Sequence, residues 1–124
     1  LQGVIMKIQT IKKRKDYLKG NASPYAAMNS VIIQSYSRSD DTPDDTSIKL
    51  GITCSKKIGN AVLRNKAKRR LREAGKMILG KIGKNNRNYI LIARKDITLK
   101  TKFCDLCSDI EDGIKRIYSK KKEN

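Results

Sequence analysis

The sequence predicts an α/β domain of the α+β kind, a two-layer sandwich in which helices pack on a small mixed sheet. Three observations carry this expectation. Residues 48–55 alternate, with Ile48, Leu50, Ile52 and Cys54 on one face and Lys49, Gly51, Thr53 and Ser55 on the other, the period-two pattern of a half-buried strand. Residues 61–77 follow helical spacing, with Leu63, Ala67, Leu71 and Ala74 on one stripe that continues to Ile78. Tyr89 to Ala93 is an unbroken apolar run, as expected of a central strand buried on both faces.

The remaining elements follow in order. Residues 11–19 form a short basic helical stretch stopped by Gly20, and residues 21–30, with Pro24 and small side chains, read as loop. Val31 to Tyr36 is rich in β-formers and reads as a strand that pairs antiparallel with the strand at 48–55. The connection at 39–47 holds Asp40, Asp41, Asp44 and Asp45 and no apolar residue, so it is expected to be an exposed hairpin link rather than an Mg²⁺ site. Asn60 is placed to cap the helix that begins at Ala61. Phe103, Leu106, Cys107, Ile110, Ile114 and Ile117 keep helical spacing, and Lys120 to Lys122 read as a disordered basic tail. The expected order is helix, strand, strand, helix, strand, helix, in a single domain over 1–124 with an ordered core at about 11–119.

Charge sets the class of partner. Lys and Arg number 29 against 12 Asp and Glu, a net charge of +17 that opposes compaction and favours a polyanion. No apolar run approaches the roughly 18 residues of a membrane span, and no basic helix carries large apolar residues opposite its charges, so a membrane is not the expected partner. Residues 1–6 are too short for a signal-peptide core, and three cysteines are an odd number, which favours reduced thiols and a cytoplasmic location. The absence of His removes the commonest general base and metal ligand. Cys104 and Cys107 are too few to build a structural zinc site, so core packing is expected of Cys107. Tyr36 and Tyr89 are open between core and stacking roles. No catalytic residue, metal ligand or small-molecule substrate is expected in this chain.

The charge is concentrated in one segment. Residues 56–72 hold eight basic residues and no acid. A solvated helix face usually mixes signs, because like charges four residues apart destabilise a helix by a few tenths of a kcal/mol. Here Arg64, Lys68 and Arg72 stack at four-residue spacing, unfavourable until phosphates neutralise them. Asn65 could read a base edge or a sugar hydroxyl. Gly59 permits a tight turn between strand and helix, and the helix N-terminus with Lys56 and Lys57 beside it favours an anion.

The run from Ser55 to Ala74, Ser-Lys-Lys-Ile-Gly-Asn-Ala-Val-Leu-Arg-Asn-Lys-Ala-Lys-Arg-Arg-Leu-Arg-Glu-Ala, resembles without gaps the signature of the bacterial ribonuclease P protein family. Residues 11–17, Leu50 to Ile52, residues 89–94 and residues 103–117 extend the resemblance over nearly the whole chain. The resemblance implies a subunit that assists a catalytic RNA, dependent on Mg²⁺ bound mainly by that RNA, in removing the 5′ leader of precursor tRNA. It implies that Arg64, Asn65, Lys66, Lys68, Arg69 and Arg72 contact the RNA subunit. Lys56 and Lys57 are carried over to phosphates near a cleft between the sheet and the first helix, and Tyr17 to stacking or packing along the leader there. It further implies a left-handed crossover through the helix between the last two strands. The sequence departs from the family at Lys66, which keeps charge but loses the bidentate fork of Arg, at Gly75, where the helix is expected to end or bend, and at a second aromatic before Gly20, which has no counterpart. The alternatives are a ribosomal or other structural RNA-binding protein, a stand-alone nuclease and a DNA-binding regulator. The missing His weighs against the nuclease, and the missing dimer seam against the regulator.

Overall fold

The computed structural model describes residues 8–38 and 46–123. In chain order these form β1 (Ile8–Thr10), α1 (Arg14–Gly20), β2 (Tyr25–Ala27), β3 (Val31–Ser37) and β4 (Ile48–Thr53). A 3₁₀ turn (Lys56–Ile58), α2 (Ala61–Ile82), β5 (Arg87–Ala93), α3 (Ile97–Lys100) and α4 (Phe103–Glu123) follow. The expected α+β sandwich is present, as one five-stranded mixed sheet in the order β1-β4-β5-β3-β2.

The expected antiparallel pairing of the 31–36 and 48–55 strands does not occur. β5 lies between them, antiparallel to β3 and parallel to β4, with Ile33 opposite Leu91 and Ile52 also opposite Leu91. The reason is burial. Residues 87–91 are buried throughout, so β5 takes the centre, where both of its faces are covered. Two further strands lie outside the expected order. β1 adds parallel to the outer edge of β4, and β2 forms within the expected loop, antiparallel to β3. The acidic connection at 39–45 lies outside the described residues, as do residues 1–7.

α2 and α4 cover one face. Leu71, Ala74 and Ile78 from α2 meet Leu106, Ile110, Ile114 and Ile117 from α4 over Val31, Ile33, Leu50, Tyr89 and Leu91. Asn60 caps α2 as its residue type predicts, its side-chain oxygen accepting from the Leu63 N–H at 3.0 Å. α2 does not end near Met77; it runs through Gly75 and Gly80 to Ile82. Gly75 brings helix and sheet together, since a Cβ there would sit 2.9 Å from Leu91 Cδ1 and 3.1 Å from Leu50 Cδ2. Leu63, expected on the buried stripe, stays exposed at the first turn. α4 likewise continues through the segment read as a disordered tail. Its last described turns are tied to the core by Tyr118, whose hydroxyl donates to Ile82 O at 2.9 Å and lies 2.6 Å from the Tyr89 hydroxyl.

The short α1 crosses the opposite face. It begins at Arg14 because residues 11–13 continue the chain off β1, where the Ile11 N–H bonds to Leu50 O at 3.0 Å. Gly20 lets α1 settle onto Ile90 and Gln34, as a Cβ there would overlap both side chains. Tyr36 ties the helix down by donating to Asp16 O at 2.7 Å. No helix among the described residues is long and apolar enough to cross a membrane.

Candidate nucleic-acid interface

α1, β1 and the sheet beneath them enclose an open groove of about 970 Å³. Among the described residues six cationic side chains line it, Lys12, Lys13, Lys15, Lys19, Arg38 and Lys49, against one carboxylate, Asp16. Its floor is rigid. Arg38 donates to Arg87 O at 2.9 Å, to Asn88 Oδ1 at 2.7 Å and to Ser47 O at 2.6 Å. Asn88 in turn donates to the Tyr36 hydroxyl at 2.8 Å. Burial pushes that hydroxyl above the ordinary tyrosine value, against the hydrogen bond from Asn88, so it stays protonated at neutral pH.

Tyr17 follows Asp16, which lines this groove, but itself lines a smaller cavity on the other side of β1. The hydroxyl end of its ring lies against Gly51 of β4, where a Cβ would come 2.7 Å from Cε1 and the hydroxyl oxygen, and its hydroxyl donates to Ile11 O at 3.3 Å. The missing side chain at residue 51 is therefore the seat of the aromatic. Tyr17 is half-buried, with part of its surface open to solvent.

The basic residues of the 56–72 segment do not share one surface. Asn65, Lys66 and Arg69 are exposed on the outward side of α2. Lys68 and Arg72 lie on a flank, where with Lys76 they border a smaller cavity of about 130 Å³ that Tyr17 also lines. Arg64 is partly buried and turned onto the junction, its Nη1 donating to Gly59 O at 2.9 Å. Arg70 is used inside the protein, where its Nη2 donates to Thr101 O and ties α2 to the chain after α3. Lys56 and Lys57 are exposed on the 3₁₀ turn and line neither cavity. Gly59 follows with φ +141°, a conformation that glycine adopts without strain.

The thiols are poorly suited to nucleophilic work. Burial pushes Cys54 and Cys107 upward, so both are neutral near pH 7. Cys107 is half-buried and packs against the core as expected, while Cys104 is exposed. Among the described residues no three His, Cys, Asp or Glu side chains come together to hold a metal ion.

The arrangement can bind a polyanion along two surfaces, the groove under α1 and the outward side of α2. The ribonuclease P family profile matches residues 5–118. This chain belongs to the ribonuclease P protein family. A ribonuclease P protein component from Ruegeria pomeroyi is 37% identical over 114 residues, covering 92% of this chain and 90% of its own. One from Caulobacter vibrioides is 35% identical over 118 residues, covering 87% and 77%. The structure of the Staphylococcus aureus RNase P protein superposes with a TM-score of 0.68 at 30% identity, over 88% of this chain and 94% of that one. The Thermotoga maritima RNase P protein, at 22% identity and a TM-score of 0.66 over 84% and 93%, shares the fold.

Much of the ribonuclease P groove escaped sequence reasoning. Tyr36 and Lys49 come from β3 and β4, consecutive in the chain but separated in the sheet by β5, Arg38 follows the end of β3, and Lys12 to Lys19 read only as a basic helix. The usable signal was the alternation in β4, which puts Lys49 on the same face as Gly51 and so on the α1 side.

Proposed function

We propose that this chain assists the ribonuclease P RNA in removing the 5′ leader from precursor tRNA, holding the RNA subunit and the leader on separate surfaces while the RNA supplies the catalytic groups and binds the Mg²⁺. The observation that carries this reading is the groove, where Lys12, Lys13, Lys15, Lys19 and Lys49 surround a floor tied by Arg38, with the Tyr17 ring in the cavity next to it. Single-stranded RNA is held by such a pairing, phosphates on Lys and Arg and bases on aromatic faces. The outward side of α2, centred on Asn65, Lys66 and Arg69, docks the RNA subunit, with Arg64 closing the junction beside it. Lys56 and Lys57, at the strand-to-helix turn and beside the positive end of α2, bind backbone phosphate there.

Two RNAs repel each other, and this chain's role in the reaction is to screen that repulsion and fix the substrate. Its cations draw both polyanions in and lower the Mg²⁺ needed for assembly. Reconstitution tests this. The chain, a ribonuclease P RNA and precursor tRNA are mixed at low Mg²⁺. Leader removal is expected only with all three, and slow removal by RNA alone at high Mg²⁺. Cleavage by the chain freed of RNA, or failure to stimulate the RNA, would overturn the proposal.

A further inference from the structure

Arg64, Lys68, Arg72 and Lys76 lie at four-residue spacing and form one row along α2. Arg64 is spent on Gly59 O. The other three turn toward the sheet edge, where they border the cavity of about 130 Å³ with Gln9 and Thr10 of β1, Ile52 of β4 and the ring of Tyr17. That is the room of roughly four waters, enough for a partly hydrated phosphate group. Among the described residues no carboxylate lines it. Like charges four residues apart on a helix repel, so this row is favoured only with an anion between its members. Ile8, Gln9 and Thr10 line this cavity and the large groove alike. The two therefore share β1 as a common wall, and Tyr17 lines the smaller one.

We infer that Lys68, Arg72 and Lys76 form a phosphate subsite for the distal part of a single-stranded leader, which crosses β1 as it leaves the groove, and that this flank of α2 serves the substrate rather than the RNA subunit. The inference rests on the leader-groove reading above. It takes Lys68 and Arg72 out of the RNA-subunit contacts expected from the signature, and adds Lys76, which lies outside them. Any backbone phosphate would suit the subsite, since the three side chains offer charge and donors but no base-reading group.

The test uses the assembled ribonucleoprotein and precursor tRNAs with two leaders, one ending within the groove and one long enough to cross β1. The variant is Lys68→Ala/Arg72→Ala/Lys76→Ala, with a second carrying Gln at the same positions. Alanine favours helix, so α2 should persist. Long-leader binding should weaken by roughly tenfold, and its log-affinity against log-salt slope should become shallower by about 2, as for three phosphates of a single strand. Short-leader binding and affinity for the RNA subunit should change less than about twofold. Equal losses for both leaders, or a loss confined to RNA-subunit binding, would return the row to the RNA-subunit interface. Tyr17→Ala in the same assay separates the two readings. If Tyr17→Ala fails to distinguish precursor from mature tRNA, the groove assignment itself fails; if it succeeds while the triple variant has no leader-length effect, only the subsite fails.

Discussion

Gly51 shows how one absent side chain can set a binding surface. The Tyr17 ring occupies the space that a Cβ would need, at 2.7 Å. Because the ring is the free end of a half-buried side chain, it can move aside, and Gly51→Ala should change stability by no more than about 1 kcal/mol. The functional cost should be larger. Tyr17→Ala should weaken precursor tRNA relative to mature tRNA by about 1–3 kcal/mol, the usual loss for one stacked base. Gly51→Ala should reproduce most of that loss, and competitive binding of the two tRNAs measures both. The aromatic at position 17 was legible in the sequence; its seat was not, because Gly51 is 34 residues away along the chain and read only as one outward position of a strand. The tyrosine hydroxyls make a second residue-scale prediction. Burial raises Tyr36, and burial with the Tyr89 hydroxyl beside it raises Tyr118 far more. Folding thus favours their protonated forms. That stability is fully present below the ordinary tyrosine value of 10.0 and is lost as pH climbs through the higher folded values. Chemical denaturation across alkaline pH should show the decline.

Within α2, two glycines should respond oppositely to the same change. Gly80 is exposed and a Cβ there meets nothing within 4 Å, so Gly80→Ala should stabilise by about 0.5–1 kcal/mol through helix propensity. At Gly75 the same gain is opposed by overlap with Leu91 and Leu50, which are buried and cannot swing away. Overpacking costs about 1–3 kcal/mol, so Gly75→Ala should destabilise. Thermal unfolding of the two variants should shift in opposite directions, and a Gly75→Ala protein as stable as Gly80→Ala would show that the helix is not held against the sheet as described. This is also the scale at which sequence reasoning divides. α2 was legible because 22 residues carry several periods and a capping Asn60, and β5 because its apolar run is continuous. β1 and β2 have three residues each, too few for any period to register. The pairing of β3 and β4 was misread because a short connection suggests a hairpin, whereas the partner was decided by a strand some 40 residues further on that needs cover on both faces.

For the molecule as a whole, the shifts resolved among the described residues move titration away from neutrality. Cys54, Cys107, Tyr36 and Tyr118 are raised and stay neutral; Glu111 is lowered by Lys115 and Lys115 raised by Glu111, so both stay charged. With no histidine present, the charge near +17 should hold between about pH 6 and 8, and affinity for RNA should be nearly flat across that window. Salt should matter far more. Neutralising about six phosphates gives a log–log slope of roughly −4 to −5, and a slope near −1 in filter binding would mean that the basic surfaces are not the interface. If the RNA carries the chemistry, no single carboxylate or cysteine substitution should change the single-turnover rate of the assembled complex by more than about tenfold, which is about 1.4 kcal/mol. A rate collapse with intact assembly would bring the active site back to the polypeptide.

The central place of β5 has a consequence for biosynthesis. The strands that precede it can form only two separate ribbons, β1 with β4 and β3 with β2, because nothing joins β4 to β3 until Arg87–Ala93 has been made. α2 leaves the ribosome before the strand and the helix that cover its apolar side, with its full load of positive charge already exposed. N-terminal parts of a chain often fold first during synthesis; here vectorial folding is denied by the strand order. The nascent chain should therefore stay protease-sensitive until β5 and much of α4 have cleared the exit tunnel, then become resistant in one step.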